Sequence, residues 1–187
     1  MGDPKRLKRK YSTPDHPWKK ARIAEESKLK KEYGLKNNTE IWKFKSLLST
    51  YRGRARKQMA ATGPQSEKYT RELIQKLARM GVLKDKNATL DDVLGLELKD
   101  FLERRMQTIV CRKGLGHTMR HARQLITHGH IALEGRNVGS PNHMVEAGKE
   151  SLVTFSPIGK INATHPSISL PKTEKAAAAP AAKSESS

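Results

Sequence analysis

Five histidines fall within 27 residues of one another, and two of them have a spacing that could bind metal. His117 and His121 stand four apart, so a helix would place both imidazoles on one face, with His128, His130 and His143 following. No third ligand sits at a recognisable spacing, and the pair lacks the intervening glutamate of a metalloprotease helix. Imidazoles also stack on bases and bond to phosphates, which is the competing use. Cys111 is the single cysteine, which excludes an intrachain disulfide and a multi-cysteine zinc site. In its apolar surroundings it reads as a small buried hydrophobe. Asp91 and Asp92 are adjacent, point to different sides of a helix, and cannot act as a carboxylate pair. No glycine-rich phosphate loop or nucleophile elbow appears. The expectation is a protein with no catalytic residues, no metal and no cofactor.

The arginines are more informative. Arg104, Arg105, Arg112 and Lys113 lie along the end of one expected helix, and Arg120 and Arg123 open the next. Antiparallel packing of the two would bring these cations to one edge, which His130 and Arg136 extend. The planar guanidinium bonds phosphate oxygens through two donors and stacks on bases. Acids that would neutralise the strip are sparse in the nearby sequence, which favours a binding surface over a merely solvated face.

The whole chain has the same bias. Its 187 residues carry a formal charge of +18 with a pI near 10.2, and 35% of them are hydrophobic. That length suits one or two small domains with modest cores. So large an excess repels itself in a compact fold and calls for a polyanionic partner. Residues 1–60 hold 18 Lys and Arg against 6 Asp and Glu, whereas 117–155 hold 4 against 3. The later region must therefore act by placing a few cations. No apolar run approaches the roughly 20 residues needed to span a bilayer, and the basic start "MGDPKRLKRKY" lacks the apolar segment of a secretory signal. A soluble, cytoplasmic protein is expected.

The elements that must position these residues can be read in order. Pro4, Pro14 and Pro17 disfavour a helix in 1–18, an extended basic arm. Lys19 to Tyr33 is helical and stops at Gly34, suited to a left-handed cap. Asn38 or Thr39 caps the next helix, whose stripe is Ile41, Phe44, Leu48, Tyr51 and Ala55. Lys45, Arg52, Arg56 and Lys57 lie off that stripe and remain available. After the "ATGPQ" break, Tyr69, Leu73, Ile74 and Leu77 mark a helix ending at Gly81. Thr89 is a plausible N-cap within a connector. From Leu98 an unbroken helical stripe (Leu98, Phe101, Leu102, Met106, Ile109, Val110) runs to Gly114. Thr118 caps a helix with Met119, Ala122 and Ile126 inward and Leu125 at the edge. Arg120, Arg123, Gln124 and Thr127 then share its exposed strip. Beyond Gly129, alternation at Ile131 and Leu133, a tight turn at Gly135 and "SLVTF" predict short strands. The fold class is α+β, a mostly helical N-terminal lobe followed by a small module of two packed helices and a short antiparallel sheet. The alanine-rich end cannot offset its ordering entropy and is expected to be disordered.

The helix–turn–helix pattern of 98–129 would suit a DNA reader. Such a regulator would need a duplex preference and a dimer, and no coiled-coil segment is evident. An RNA-modifying enzyme would need a catalytic domain that no stretch supplies. Extended basic segments suit a large structured RNA, whose duplexes are read through shape and backbone.

"RHARQLITHGHIALEGRNVGSP", residues 120–141, resembles the signature of the S-four RNA-binding domain, an α-L-type module. "GDPKRLKRKYSTPDHPWKKARI", "EYGLKNNTEIWKFK" and "LDDVLGLELKDFLERRMQTIV" are similar to the small-subunit ribosomal protein S-four family in its archaeal form. The resemblance runs from near residue 1 to about 166. It implies a primary binder of small-subunit ribosomal RNA at a multihelix junction of the 5′ domain, which starts assembly of the subunit body. It also implies contact with small-subunit protein S-five, a part in decoding accuracy near the messenger entry, and no DNA or membrane partner. The cysteine zinc knuckle of some bacterial relatives has no counterpart here. The family's RNA-contacting positions fall on Thr118, Arg120, Arg123, Gln124, His128, His130 and Arg136. With the cations already named, Lys19, Lys20 and Arg22 complete the expected RNA-binding set. The implied division is an arm at 1–18, a helical domain at 19–97, an S-four domain at 98–166 with its core near 103–155, and a tail at 167–187.

Overall fold

The computed structural model describes residues 9–83 and 88–157. The expected disordered tail and the first part of the arm lie outside the described residues.

Among the described residues, seven α-helices and one three-stranded sheet follow in chain order. They are α1 (Lys20–Glu32), α2 (Asn38–Ala60), α3 (Pro64–Arg79), α4 (Leu90–Gly95), α5 (Leu98–Glu103), α6 (Met106–Arg112), α7 (Met119–Thr127), β1 (Ile131–Leu133), β2 (Arg136–Asn137) and β3 (Val153–Phe155). A 3-10 turn, Glu150–Leu152, takes up the start of the expected "SLVTF" strand. The sheet order is β2-β1-β3, antiparallel throughout.

The α2 stripe is buried at all five expected positions and is the spine of the first core, to which α3, α4 and α5 contribute Leu77, Val93, Phe101 and Leu102. Tyr69 departs from its expected stripe: it is half-exposed, while Leu73 and Leu77 are buried. The connector around Thr89 is itself a short helix. Thr89 N–H donates to Asp92 Oδ2 at 2.7 Å, closing a capping box.

The helix expected to run unbroken from Leu98 to Gly114 is two helices. Arg105 is extended, with φ −70° and ψ 142°, and pairs like a strand with Met144. Met106 N–H donates to His143 O at 2.8 Å, and Val145 N–H to Arg104 O at 3.0 Å. These bonds to a distant loop replace helical ones, so the chain turns there although its apolar spacing is helical throughout. The apolar residues divide at the same place: Phe101 and Leu102 join the first core, while Met106, Ile109 and Val110 join a second with Ala122, Leu125, Ile126, Ile131, Val145 and Val153. Leu125 is fully inside this core and not at its edge. Cys111 is only partly buried against it, and burial raises its thiol above the usual range, which keeps it protonated at neutral pH.

Two glycines do what was expected of them. Gly34 has φ +58°, and Leu35 N–H reaches back to Lys30 O at 3.0 Å, a Schellman ending for α1. A Cβ at Gly34 would also lie 2.6 Å from Met119 Cβ, so α1 can meet α7 only through a glycine. Between β1 and β2, Glu134 (φ 52°) and Gly135 (φ 77°) form a two-residue turn with Leu133 opposite Arg136.

Candidate nucleic-acid interface

The α7 helix is the frame of the candidate surface. Thr118 caps it, accepting a bond from His121 N–H at 3.1 Å. Ala122, Leu125 and Ile126 face α6 and the sheet, which turns Arg120, Gln124 and Thr127 outward. The helix ends as His128 N–H donates to Gln124 O, and His130 enters β1 held through its backbone to Leu125 O and from Ser156 N–H. The His128 and His130 rings lie parallel, 6.2 Å apart, and Arg136 is exposed on β2.

The arginine group does not assemble as one free strip. Arg105 is completely buried, and its Nη2 donates to Glu40 Oε2 at 3.1 Å and to Asn142 Oδ1, with its guanidinium carbon 5.7 Å from the centre of the Phe44 ring. Arg123 is only 21% exposed at its side chain and grips the same Glu40, Nη2 to Oε1 at 2.5 Å and Nη1 to Oε2 at 3.3 Å. Arg104 is inside a joint, bonded to Glu150 and, at 2.9 Å, to Val145 O, with Gly81 against its guanidinium. Arg112 pairs with Glu103 at 3.0 Å but stays exposed. Lys113 is exposed while its Nζ donates to Val153 O at 3.2 Å. The acids thought sparse are supplied from elsewhere in the chain: Glu40 from α2 and Glu150 from the turn before β3. Arg105, Arg123 and Arg104 therefore act within the fold, and Arg120, Arg112 and Lys113 remain as its outward cations.

Burial pushes the Glu40 carboxyl up, but the Arg123 hydrogen bond and the charges of Arg105 and Arg123 outweigh it and hold the group below its usual range. Burial pushes Arg105 down to about 10, partly countered by Glu40, so it still carries its charge at neutral pH. Gln107 completes the cluster: its Nε2 donates to Met119 O at 2.8 Å and to Gly34 O at 3.1 Å.

Packing also recruits cations that sequence reasoning missed. The end of α1 and the start of α7 form a cleft lined by Lys30, Lys31, Thr118 and Arg120. The signal was present in the basic last turn of α1, but nothing local ties it to residue 120. A second groove, between α1 and α2, gathers Arg22, Lys45, Arg52 and Arg56. Two of these are engaged internally. Arg52 donates to Leu96 O at 2.6 Å, and Arg22 is bound to Glu26 and to the carbonyls of His16 and Pro17. Lys19, Lys20, Lys45, Arg56 and Lys57 are exposed.

The His117 and His121 rings stack at 5.5 Å, and burial together with the His117 charge lowers His121. Among the described residues no three His, Cys, Asp or Glu side chains gather as a metal site, and no helix is long and apolar enough to cross a membrane.

Residues 104–151, which hold α6, α7 and most of the sheet, match the S4 domain. Curated relatives extend the likeness to both lobes. The small ribosomal subunit protein uS4 of Ignicoccus hospitalis is 49% identical over 157 residues, covering 84% of this chain and 94% of the relative. That of Methanococcus aeolicus is 47% identical with 84% and 89% covered, and that of Sulfolobus acidocaldarius 47% over 169 residues with 89% and 95% covered. Likeness at this level along nearly the full length of these relatives fixes the assignment: the chain belongs to the small ribosomal subunit protein uS4 family.

Proposed function

We propose that this protein is a structural constituent of the small ribosomal subunit in the cytoplasm, where it binds ribosomal RNA and catalyses no reaction. The observation that carries this reading is the outward, acid-free start of α7. Arg120 and Gln124 face solvent there, beside Lys30 and Lys31 across a cleft. Neutralised phosphates would supply affinity through counterion release. Specificity would come from the fixed spacing between this surface and the α1–α2 groove, matched to the shape of a folded RNA.

The finer reading follows the family resemblance. The site is a multihelix junction in the 5′ domain of the RNA, and binding there nucleates assembly of the subunit body. Contact with protein S-five and a share in decoding accuracy near the messenger entry belong to the same reading. The RNA-facing set is Thr118, Arg120, Gln124, His128, His130, Arg136, Arg112 and Lys113 on the S4 module, with Lys19, Lys20, Lys45, Arg56 and Lys57 on the N-terminal lobe. The division into a helical domain at 19–97 and an S-four domain at 98–166, with its core near 103–155, is supported by the separation of the two cores near residue 104.

The test compares affinity for a transcript of the 5′ domain with that for duplex DNA of equal length across a salt series. A preference for the transcript on the order of a thousandfold at physiological salt is expected, the lower range of specific over non-specific binding. Equal affinities would leave a cationic protein that recognises no junction.

A further inference from the structure

Trp18 is 88% exposed, against 52% for Tyr69 and 49% for Met59. An exposed indole forfeits the burial of roughly 150–250 Å², and this one is not a loose end. Arg22 Nη2 donates to Pro17 O at 2.6 Å and to His16 O at 3.2 Å, fixing the two residues before it. Arg22 is held in turn by Glu26, Nη1 to Oε1 at 2.8 Å. Glu26 is buried and also accepts from Trp42 Nε1 and Asn38 Nδ2, each at 3.2 Å, which anchors the device to α2. Upstream, Ser12 N–H donates to Ser46 Oγ at 3.0 Å, and the Tyr11 ring packs 6.2 Å from Trp42. The chain is thus fastened on both sides of Trp18, and the side chain between the fastenings is left in solvent. Lys19 and Lys20 follow it, both exposed, against the single acid Asp15 nearby.

An aromatic face beside exposed lysines is complementary to a base with its flanking phosphates. An apolar protein pocket would take the indole but gains nothing from the lysines. We propose that Trp18 is a stacking surface for an unpaired nucleobase of the ribosomal RNA, with Arg22 and Glu26 as positioning residues and Lys19 and Lys20 meeting the adjoining phosphates. The proposal rests on the RNA-binding function proposed above.

The test uses the full chain, the 5′-domain transcript and the variants Trp18→Ala and Trp18→Phe. Both should keep the wild-type melting temperature, because the side chain is exposed. Trp18→Ala should weaken transcript binding about tenfold, with Trp18→Phe between it and wild type. The tryptophan emission of the wild type should be quenched by the transcript, and Trp18→Phe, which leaves only Trp42, should lose most of that quenching. Wild-type affinity in Trp18→Ala with unchanged quenching in Trp18→Phe would overturn the proposal while leaving RNA binding intact. The same result with poorer entry into assembled subunits would also overturn it, in favour of a protein pocket. If the wild type itself does not prefer the transcript over duplex DNA, the functional reading fails and the proposal falls with it.

Discussion

Arg123 on α7 holds Glu40 on α2 by two hydrogen bonds, Nη2 to Oε1 at 2.5 Å and Nη1 to Oε2 at 3.3 Å, across 83 residues of chain. Buried Arg105 shares the same carboxylate, so one acid from the N-terminal lobe is shared by two cations of the S4 module. The cluster joins the two cores and fixes α7 against α2. A buried ion pair is weak evidence of net stabilisation, but losing one partner is costly, because it leaves a charge uncompensated.

Glu40→Ala should therefore destabilise the fold by about 3–5 kcal/mol, measured by urea denaturation. Combining it with Arg105→Met should cost less than the two single effects added together. Additive costs would mean that the two side chains are not coupled in the folded state.

The same carboxylate predicts a pH dependence. Its folded value lies below the ordinary carboxylate range, so its contribution is fully present above the unfolded value of about 4.3 and is lost as pH falls through the folded one. The stability of the wild type should decline on acidification more steeply than that of Glu40→Gln. Parallel pH profiles by thermal melting would exclude Glu40 as a source of the acid sensitivity.

Substitutions on α7 should separate binding from folding. Arg120→Ala with Gln124→Ala should weaken RNA binding and leave circular dichroism and melting unchanged. Arg123→Ala, which the sequence groups with Arg120, should instead lower the melting temperature, since it removes a Glu40 partner. Equal melting temperatures for the two variants would contradict the pairing.

Gly34→Ala tests the contact between α1 and α7. A left-handed residue with a Cβ costs about 1–2 kcal/mol, and here the added carbon also meets Met119 at 2.6 Å. Gly129→Ala has φ +75° but no atom within 4 Å of the new carbon, so it isolates the backbone cost. The first variant should melt clearly lower than the second.

The basic arm offers a further contrast with expectation. The sequence reads 1–18 as an extended basic arm; in the structure residues 11 and 12 and 16 and 17 are tied to α2 and α1 by the bonds around Trp18. Limited proteolysis of the free protein should spare residues 11–18, and rapid cleavage there would show that the ties need RNA to persist.

What the sequence determined by itself is local. The α2 stripe, the cap at Thr118, the left-handed turns at Gly34, Gly129 and Gly135, and the change from helical to alternating period after Gly129 each depend on a few neighbouring residues. The family signature at 120–141 is likewise a contiguous string. Tertiary structure alone decided which cations are free. A guanidinium looks the same in sequence whether it faces water or a carboxylate, and Glu40 lies 65 residues from Arg105 and 83 from Arg123. Tertiary structure also broke the helix at Arg105, because bonds from the loop at 143–145 outweighed a helical period that runs through the break. Trp18 belongs to the same class. The sequence places it only at the end of an extended arm, and the Arg22–Glu26 support shows that it is held in solvent.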